Sequence, residues 1–261
     1  MDKKNTQLKV HFHRYEFKYL ISSHIVEGII PVFLKYMEID EFGKNLLRNS
    51  YVVSSLYFDS SDLGSYREKI AGIRSRKKLR LRFYNSECNN NSKIFLEIKR
   101  KYDSVVVKDR VTLNYQEAED LIQRNKKPNR ALNERDNNII DEFLWTKIYN
   151  SMVPQNMVIY KRMAFVSSIN PRFRVTIDYD LKSYLASWIN EKKEGNPVTS
   201  GFVILEVKFD GILPAWFHKI MLRYNLERIV FSKYCRSLSV CRPELSLIDQ
   251  QKFFSNQVTQ L

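Results

Sequence analysis

Along much of this chain apolar and charged residues alternate one for one, the period of extended strands whose two faces meet different surroundings. Within Phe12–Leu20 one parity carries Arg14, Glu16 and Lys18, and the other His13, Tyr15, Phe17 and Tyr19. Lys78–Tyr84 sets Arg80, Arg82 and Tyr84 against Leu79, Leu81 and Phe83, and Ile94–Lys101 places Glu97, Lys99 and Lys101 together. Val105–Leu113 opposes Val106, Lys108, Arg110 and Thr112 to Val105, Val107, Val111 and Leu113. Arg172–Asp180 gives Arg172, Arg174, Thr176, Asp178 and Asp180 against Phe173, Val175, Ile177 and Tyr179. Val203–Phe209 gives Ile204, Glu206 and Lys208 against Val203, Leu205, Val207 and Phe209. Tyr51–Phe58 and Val158–Val166, the latter with Tyr160 and Arg162, bring the total to about eight strands, enough to close a barrel around one ligand.

Helix-like stretches lie between the strands at Ser22–Met37, Tyr115–Arg124, Glu134–Asn150 and Pro214–Asn225. Ser22 and Ser23 are available as caps to the first, and Pro214 suits the first turn of the last. Glu191–Ser200, with Gly195 and Pro197, reads as a polar loop. No internal repeat and no boundary is legible, so the expectation is one domain over residues 1–242 and a polar tail over 243–261.

If the strands form one antiparallel sheet, the charged parities share a face. One or two such strands are ordinary solvated sheet face. Across five or six, like charges meet with nothing to offset them. The arrangement that resolves this is α+β: a closed antiparallel eight-stranded barrel with a polar, cationic lumen, apolar parities outward and helices at the periphery. Such a lumen is stable when water and an anion fill it, because unpaired buried charge is costly. Arg forks match phosphate oxygens and Lys supplies compact charge.

Composition sharpens this picture. Lys+Arg number 43 against 29 Asp+Glu, a formal net charge of +14, which calls for a polyanionic partner. Only seven glycines occur, and none form GxGxxG or GxxxxGK[ST], so side chains rather than a glycine loop must hold any phosphate. Cys88, Cys235 and Cys241 form no CxxC or zinc spacing. The N-terminal stretch has no apolar h-region, and Ile25–Leu34 is too short to span a bilayer. The chain reads as soluble and cytoplasmic.

Glu206, two residues before Lys208, suits a divalent ion that bridges phosphates, and equally a salt bridge to a neighbouring cation. Glu16, Glu97, Asp178 and Asp180 read as residues that orient cations. His11, His13, His24 and His218 make no metal or triad arrangement, with His11 and His13 on the outward parity.

The ordered segments RYEFKYLI, SLYFDS, KLRLRFY, FLEIKRK, VKDRV, YKRMAF, RVTIDYDL, ILEVKFDG and FSKY resemble the VTC domain, from about Phe12 to Arg236. That domain is the polyphosphate polymerase module within the triphosphate tunnel metalloenzymes. No SPX domain is evident, which resembles the bacterial type. The resemblance implies transfer of the ATP γ-phosphate to a growing polyphosphate chain inside a tunnel. It implies Lys18, Arg80, Arg82, Lys99, Arg162 and Lys233 as catalytic residues. Lys108, Arg110, Tyr160, Lys208 and Ser232 would join them on the phosphates, and the charged parity adds Glu16, Lys101 and Arg174. Glu206 is implied as the ligand of Mn²⁺ or Mg²⁺. Arg14 stands where the wider superfamily often has an acid, which favours the polymerase branch. Val230 stands where the VTC pattern tends to be basic, with Arg228 nearby as a substitute.

Chain growth uses an acceptor oxygen that is already ionised, so polymerisation needs alignment and charge neutralisation and no general base. The partners expected are ATP and polyphosphate or pyrophosphate, with room for a membrane-protein partner; nucleic acid is disfavoured, since the aromatics sit mostly opposite the cations. Two other readings stay open: a hydrolase of tripolyphosphate or nucleoside triphosphates, with Glu16 or Glu97 aimed at water, and a non-catalytic polyanion binder.

Overall fold

The computed structural model describes residues 14–103 and 105–245. His11, His13 and residues 246–261 of the expected tail lie outside them. In chain order the elements are β1 (Arg14–Ser22), α1 (Ser23–Phe33), β2 (Met37–Ile39), a 3₁₀ turn (Leu47–Asn49), β3 (Tyr51–Asp59) and α2 (Gly64–Ile70). Then come β4 (Ser75–Phe83), β5 (Ile94–Tyr102), β6 (Val105–Leu113), α3 (Tyr115–Arg124), α4 (Glu134–Tyr149) and β7 (Val153–Ser167). β8 (Arg174–Leu185), β9 (Asn196–Pro197), β10 (Phe202–Asp210), α5 (Ala215–Arg223), β11 (Arg228–Ile229) and α6 (Lys233–Cys241) complete the chain.

The chain divides into two compact units. The first takes the described part of residues 1–50 with Met163–Asp178 and Gly201–Val230; the second takes Tyr51–Arg162, Tyr179–Ser200 and the described residues from Phe231 on. β7 and β8 run through both.

In the first unit β1 pairs antiparallel with β10 and with β11, β10 pairs with β8, and β2 adds to the end of β7. Its core is aromatic: the Phe33 ring lies 5.3 Å from Phe165 and 6.2 Å from Phe217, and Trp216 stacks on Tyr36 at 4.7 Å. Aromatic pairs at these separations add to the burial of their own surface. The helix expected over Ser22–Met37 stops at Phe33. Pro31 removes one backbone donor near its end, and the chain then turns into β2.

In the second unit β7 pairs with β3, and β3, β4, β5 and β6 follow as an antiparallel meander. The apolar parity of β4–β6 (Leu79, Leu81, Leu96, Ile98, Val111) is buried in one cluster with Leu121 of α3 and Ile140 and Phe143 of α4. Each such side chain is worth about 1.5–3 kcal/mol of burial, which fixes the charged parity on the other face. The boundaries of α3 are set by a reciprocal Asn114–Glu117 capping box and an αL residue at Asn125. Two helices not expected from the sequence, α2 and α6, are held by one buried carboxylate. Asp59 accepts the backbone N–H of Ser65 at 2.8 Å and of Tyr66 at 2.9 Å, and the Tyr234 hydroxyl at 2.5 Å.

The expected eight-stranded closed barrel is corrected on both counts. Eleven strands are present among the described residues, in the order β11-β1-β10-β8-β7-β3-β4-β5-β6 with β2 on β7 and β9 on β8, and this order does not close on itself. The added strands have two or three residues, too few to show alternation. Alternation fixes which face a side chain takes and says nothing of which edges meet. What holds is an α+β fold built on antiparallel sheet.

Candidate functional site

The second unit concentrates the cations. Across β4, β5 and β6 the face away from α3 and α4 carries Arg76, Lys78, Arg80, Arg82, Lys99, Lys101, Lys108 and Arg110 against a single acid, Glu97. The register sets Lys78, Lys99 and Lys108 directly opposite one another in one row, and Tyr57, Arg80, Glu97 and Arg110 in the next. Glu97 is buried and ion-paired to Arg80 Nε at 2.5 Å and Lys108 Nζ at 2.6 Å. Burial alone would raise its carboxyl, but Arg80, Arg82 and Lys108 overrule that and hold it at about 2. Burial lowers Lys108 to about 8, with Arg80 adding to the effect and Glu97 opposing it.

Hydroxyls and rings fix the remaining cations. Arg82, itself buried, donates to Ser55 Oγ at 3.1 Å and to the Tyr160 hydroxyl at 3.3 Å. Arg80 Nη1 donates to the Tyr57 hydroxyl at 3.1 Å. Arg162 and Lys233 lie over the Tyr160 ring, at 5.3 and 5.1 Å from its centroid, and Arg110 lies 5.0 Å from that of Phe95. Ser232 caps α6 through Cys235 N–H and also accepts from Lys78 Nζ at 3.2 Å. Tyr57, Tyr160, Tyr234 and Phe95 thus share the cation face. They are exceptions to the expectation that aromatics lie mostly opposite the cations, and each of these rings lies against a cation. Lys101 lies one row out from Lys99, opposite Arg76 and Val106.

The first unit brings together the other expected residues. Three β1–β10 rows pair opposite charges: Arg14 with Asp210, Glu16 with Lys208, Lys18 with Glu206. Lys18 Nζ is 2.9 Å from Glu16 and 3.8 Å from Glu206, and Lys208 Nζ is 2.8 Å from Glu206 and 3.7 Å from Glu16. Arg174 is opposite Lys208 and Asp178 opposite Ile204. Thr176, opposite Glu206, has a buried hydroxyl with no hydrogen-bond partner among the described residues.

No group of three or more His, Cys, Asp or Glu that could hold a metal occurs among the described residues. The first unit nonetheless offers two neighbouring carboxylates and an orphan hydroxyl. These are hard oxygens, which fit Mg²⁺ or Mn²⁺ when phosphates and water fill most of the shell.

Other expected residues fall elsewhere. Asp180 pairs with exposed Lys161, and Arg172 with Asp210. Arg228 is opposite Tyr19 and sits 3.8 Å from the Phe17 ring centroid, on the apolar parity of β1, so it does not stand in for a base at Val230. Sequence reasoning passed over Lys78, Ser55 and Tyr57, although Lys78 shares the parity of Arg80 and Tyr57 that of Ser55. It also passed over Arg100, which interrupts an apolar parity and binds Glu142 of α4 and Asp109 of β6.

The VTC domain family model matches residues 13–242. The Schizosaccharomyces pombe vacuolar transporter chaperone complex subunit 4 is 23% identical over 87% of this chain, and the chain spans 37% of that relative's length. Among solved structures, a putative adenylate cyclase from Bacillus halodurans matches with TM-score 0.48 and 13% identity, over 84% of this chain and 95% of its own. A putative adenylyl cyclase from Hippeastrum, described as having a dominant triphosphatase activity, gives TM-score 0.48 and 13% identity over 88% and 96%. The chain belongs to the VTC domain family.

Proposed function

From membership of the VTC domain family, we propose that this chain is a phosphotransferase that moves the γ-phosphate of ATP onto a growing polyphosphate chain. The observation that carries the reading is the register of β4, β5 and β6, which sets lysine opposite lysine opposite lysine with Glu97 as their face's single acid. Like charges directly opposite one another destabilise a sheet, and a phosphate chain is the ligand class that turns that cost into binding.

In this reading Arg80 and Arg82, preset by Tyr57, Ser55 and Tyr160, neutralise the equatorial oxygens of the transferring phosphoryl group, with Lys99, Lys108, Arg110, Arg162, Ser232 and Lys233 along the phosphates. Groups held before the substrate arrives need little reorganisation during reaction. Lys18, Lys208 and Arg174, on the sheet face of the first unit, are proposed as phosphate contacts of that unit. Glu206, with Glu16 and the Thr176 hydroxyl, would hold Mn²⁺ or Mg²⁺, which supplies charge neutralisation and orients phosphate oxygens when bound. The acceptor phosphate is already ionised, so no residue has to remove a proton.

Hydrolysis is the weaker reading because its two candidate bases are engaged. Glu97, held at about 2, is a poor base, and Glu16 is ion-paired to Lys18 and Lys208. No helix among the described residues is long and apolar enough to cross a membrane. The relative is named as a subunit of a vacuolar transporter chaperone complex, and association with a partner protein of that kind is part of the proposal.

Incubation of the protein with ATP and Mn²⁺ or Mg²⁺, followed by gel electrophoresis and phosphorus NMR, tests it. A polyphosphate ladder with ADP, lost in Glu206→Gln and Arg82→Ala, is the expected result. Free phosphate without a ladder would replace the polymerase by a hydrolase, and tight tripolyphosphate binding without turnover would leave a polyanion binder.

A further inference from the structure

Tyr57 lies on the cation face of β3 and is 6% exposed. Its hydroxyl oxygen accepts from Arg80 Nη1 at 3.1 Å, and its own hydrogen meets no acceptor among the described residues. Its ring is 5.2 Å from that of Tyr234 and 5.8 Å from the Arg80 guanidinium. The charged and titratable groups that act on it are Arg80 and Arg82 from β4 and Lys233 and Tyr234 from α6; Glu97 from β5 lies beyond Arg80, Lys108 from β6 beyond Glu97, and Tyr160 from β7 beyond Arg82. Glu97 already serves Arg80 and Lys108, and the Tyr234 hydroxyl is turned to Asp59. Set among donors, the oxygen accepts from arginine in either form, whereas an O–H on it has no acceptor within the described residues, and an unmade buried hydrogen bond is expensive.

We propose that Tyr57 is a further phosphate-contacting residue, whose oxygen takes up a proton as the phosphate chain binds and donates it in a hydrogen bond to a phosphate oxygen. The inference rests on the proposed polyphosphate site and adds a residue and a proton to it. The balance is simple: one proton passes from solvent to the phenolate oxygen, the O–H then points at a phosphate oxygen, and no covalent bond to phosphorus changes. Burial works against ionisation of the phenol, but Arg80, Arg82 and Lys233 outweigh it and bring Tyr57 to about 8. A polyanion that neutralises those cations removes the cause of the lowering and returns the phenol toward its ordinary range.

The test is titration calorimetry of the full chain with tripolyphosphate at pH 8, in buffers of different ionisation enthalpy, comparing wild type with Tyr57→Phe. The phenylalanine keeps the ring against Tyr234 and Arg80 and removes the hydroxyl alone. Protons taken up by Lys108 or by the ligand are common to both proteins and cancel in the difference. With the phenol at about 8, wild type is expected to take up about half a proton more than the variant. Its Kd should rise about tenfold more between pH 7 and 9. A second readout needs no variant: at pH 8 the phenolate absorbance of wild type should fall on adding tripolyphosphate. Equal proton uptake and equal pH slopes in the two proteins, or an unchanged phenolate band despite binding, would overturn the inference and leave the polyphosphate site standing. Failure of tripolyphosphate to bind at any pH would overturn both.

Discussion

The two units answer the same design question in opposite ways. Both carry charged side chains on one sheet face, yet the β1–β10 rows of the first pair Arg14, Glu16 and Lys18 with opposite charge, while a β4–β5–β6 row of the second puts three lysines side by side. The difference lies in composition and in register: bases and acids alternate along β1 and β10, whereas the β4–β5–β6 face has Glu97 as its single acid and sets lysine opposite lysine. A shift by two residues would keep every side chain on its face and change every partner. A face whose rows cancel needs nothing further to be stable; a face whose rows repel needs an external anion. The cation face of the second unit therefore carries a pattern of internal repulsion, relieved in part by Glu97 and by aromatic rings.

The sharpest way to break this contrast is Glu97→Gln. It takes the buried carboxylate away from half-buried Arg80 and exposed Lys108; removing one partner of a fully buried pair typically costs about 3–5 kcal/mol, and water at Lys108 brings the expected loss to the low end of that range. Denaturant unfolding should show that loss at neutral pH, and tripolyphosphate should restore much of it. Acid should expose the same residue. Glu97 is held at about 2 against an ordinary 4.5, so the stability it contributes is complete above about 4.5 and is lost as pH falls toward 2. In Glu97→Gln that part of the pH dependence should flatten.

Next in size is Arg82→Ala. Removing one preset donor to transition-state charge costs about 10²–10³ in rate, and polyphosphate formation by the purified variant should fall by that order. The alkaline side gives a smaller effect. Tyr57 is lowered from 10.0 to about 8, so the native state gives up this proton first and stability should rise between about pH 8 and 10. Tyr57→Phe should lack that contribution in a series of unfolding curves. The smallest effect belongs to the first unit. Glu16 keeps 31% of its side chain exposed, and Glu16→Gln should change unfolding free energy by no more than about 1 kcal/mol. A cost matching that of Glu97→Gln would show that the two faces are built alike.

Much of this was legible along the chain. The eight long strands stand where alternation puts them, because apolar parities that must meet α3 and α4 or the aromatic core leave a two-residue signature. The cations of KLRLR, FLEIKRK and VKDRV were placed on one face for the same reason. What alternation does not encode is pairing. Nothing local says that Lys78 faces Lys99 or that the order ends at β6 and β11, since both are set by which strands hydrogen-bond. Tyr57 was hidden because an aromatic in an apolar run reads as core, and only the neighbouring strand reveals an arginine opposite it. Helix α2 was missed because its cap comes from Asp59, outside its own sequence, and α6 because KYCRSLSVC mixes small and polar residues in a weak helical pattern.

Asp59 also bears on the order in which the molecule comes together. The β4–β5–β6 meander is built from neighbours along the chain, so it forms through short loops. The Tyr234 hydroxyl that docks α6 on β3 lies 175 residues from Asp59, and closing so long a loop is slow compared with forming a hairpin. The cation rows are thus assembled early from local contacts. The helix that brings Ser232 and Lys233 to them is therefore expected to dock after the meander has formed.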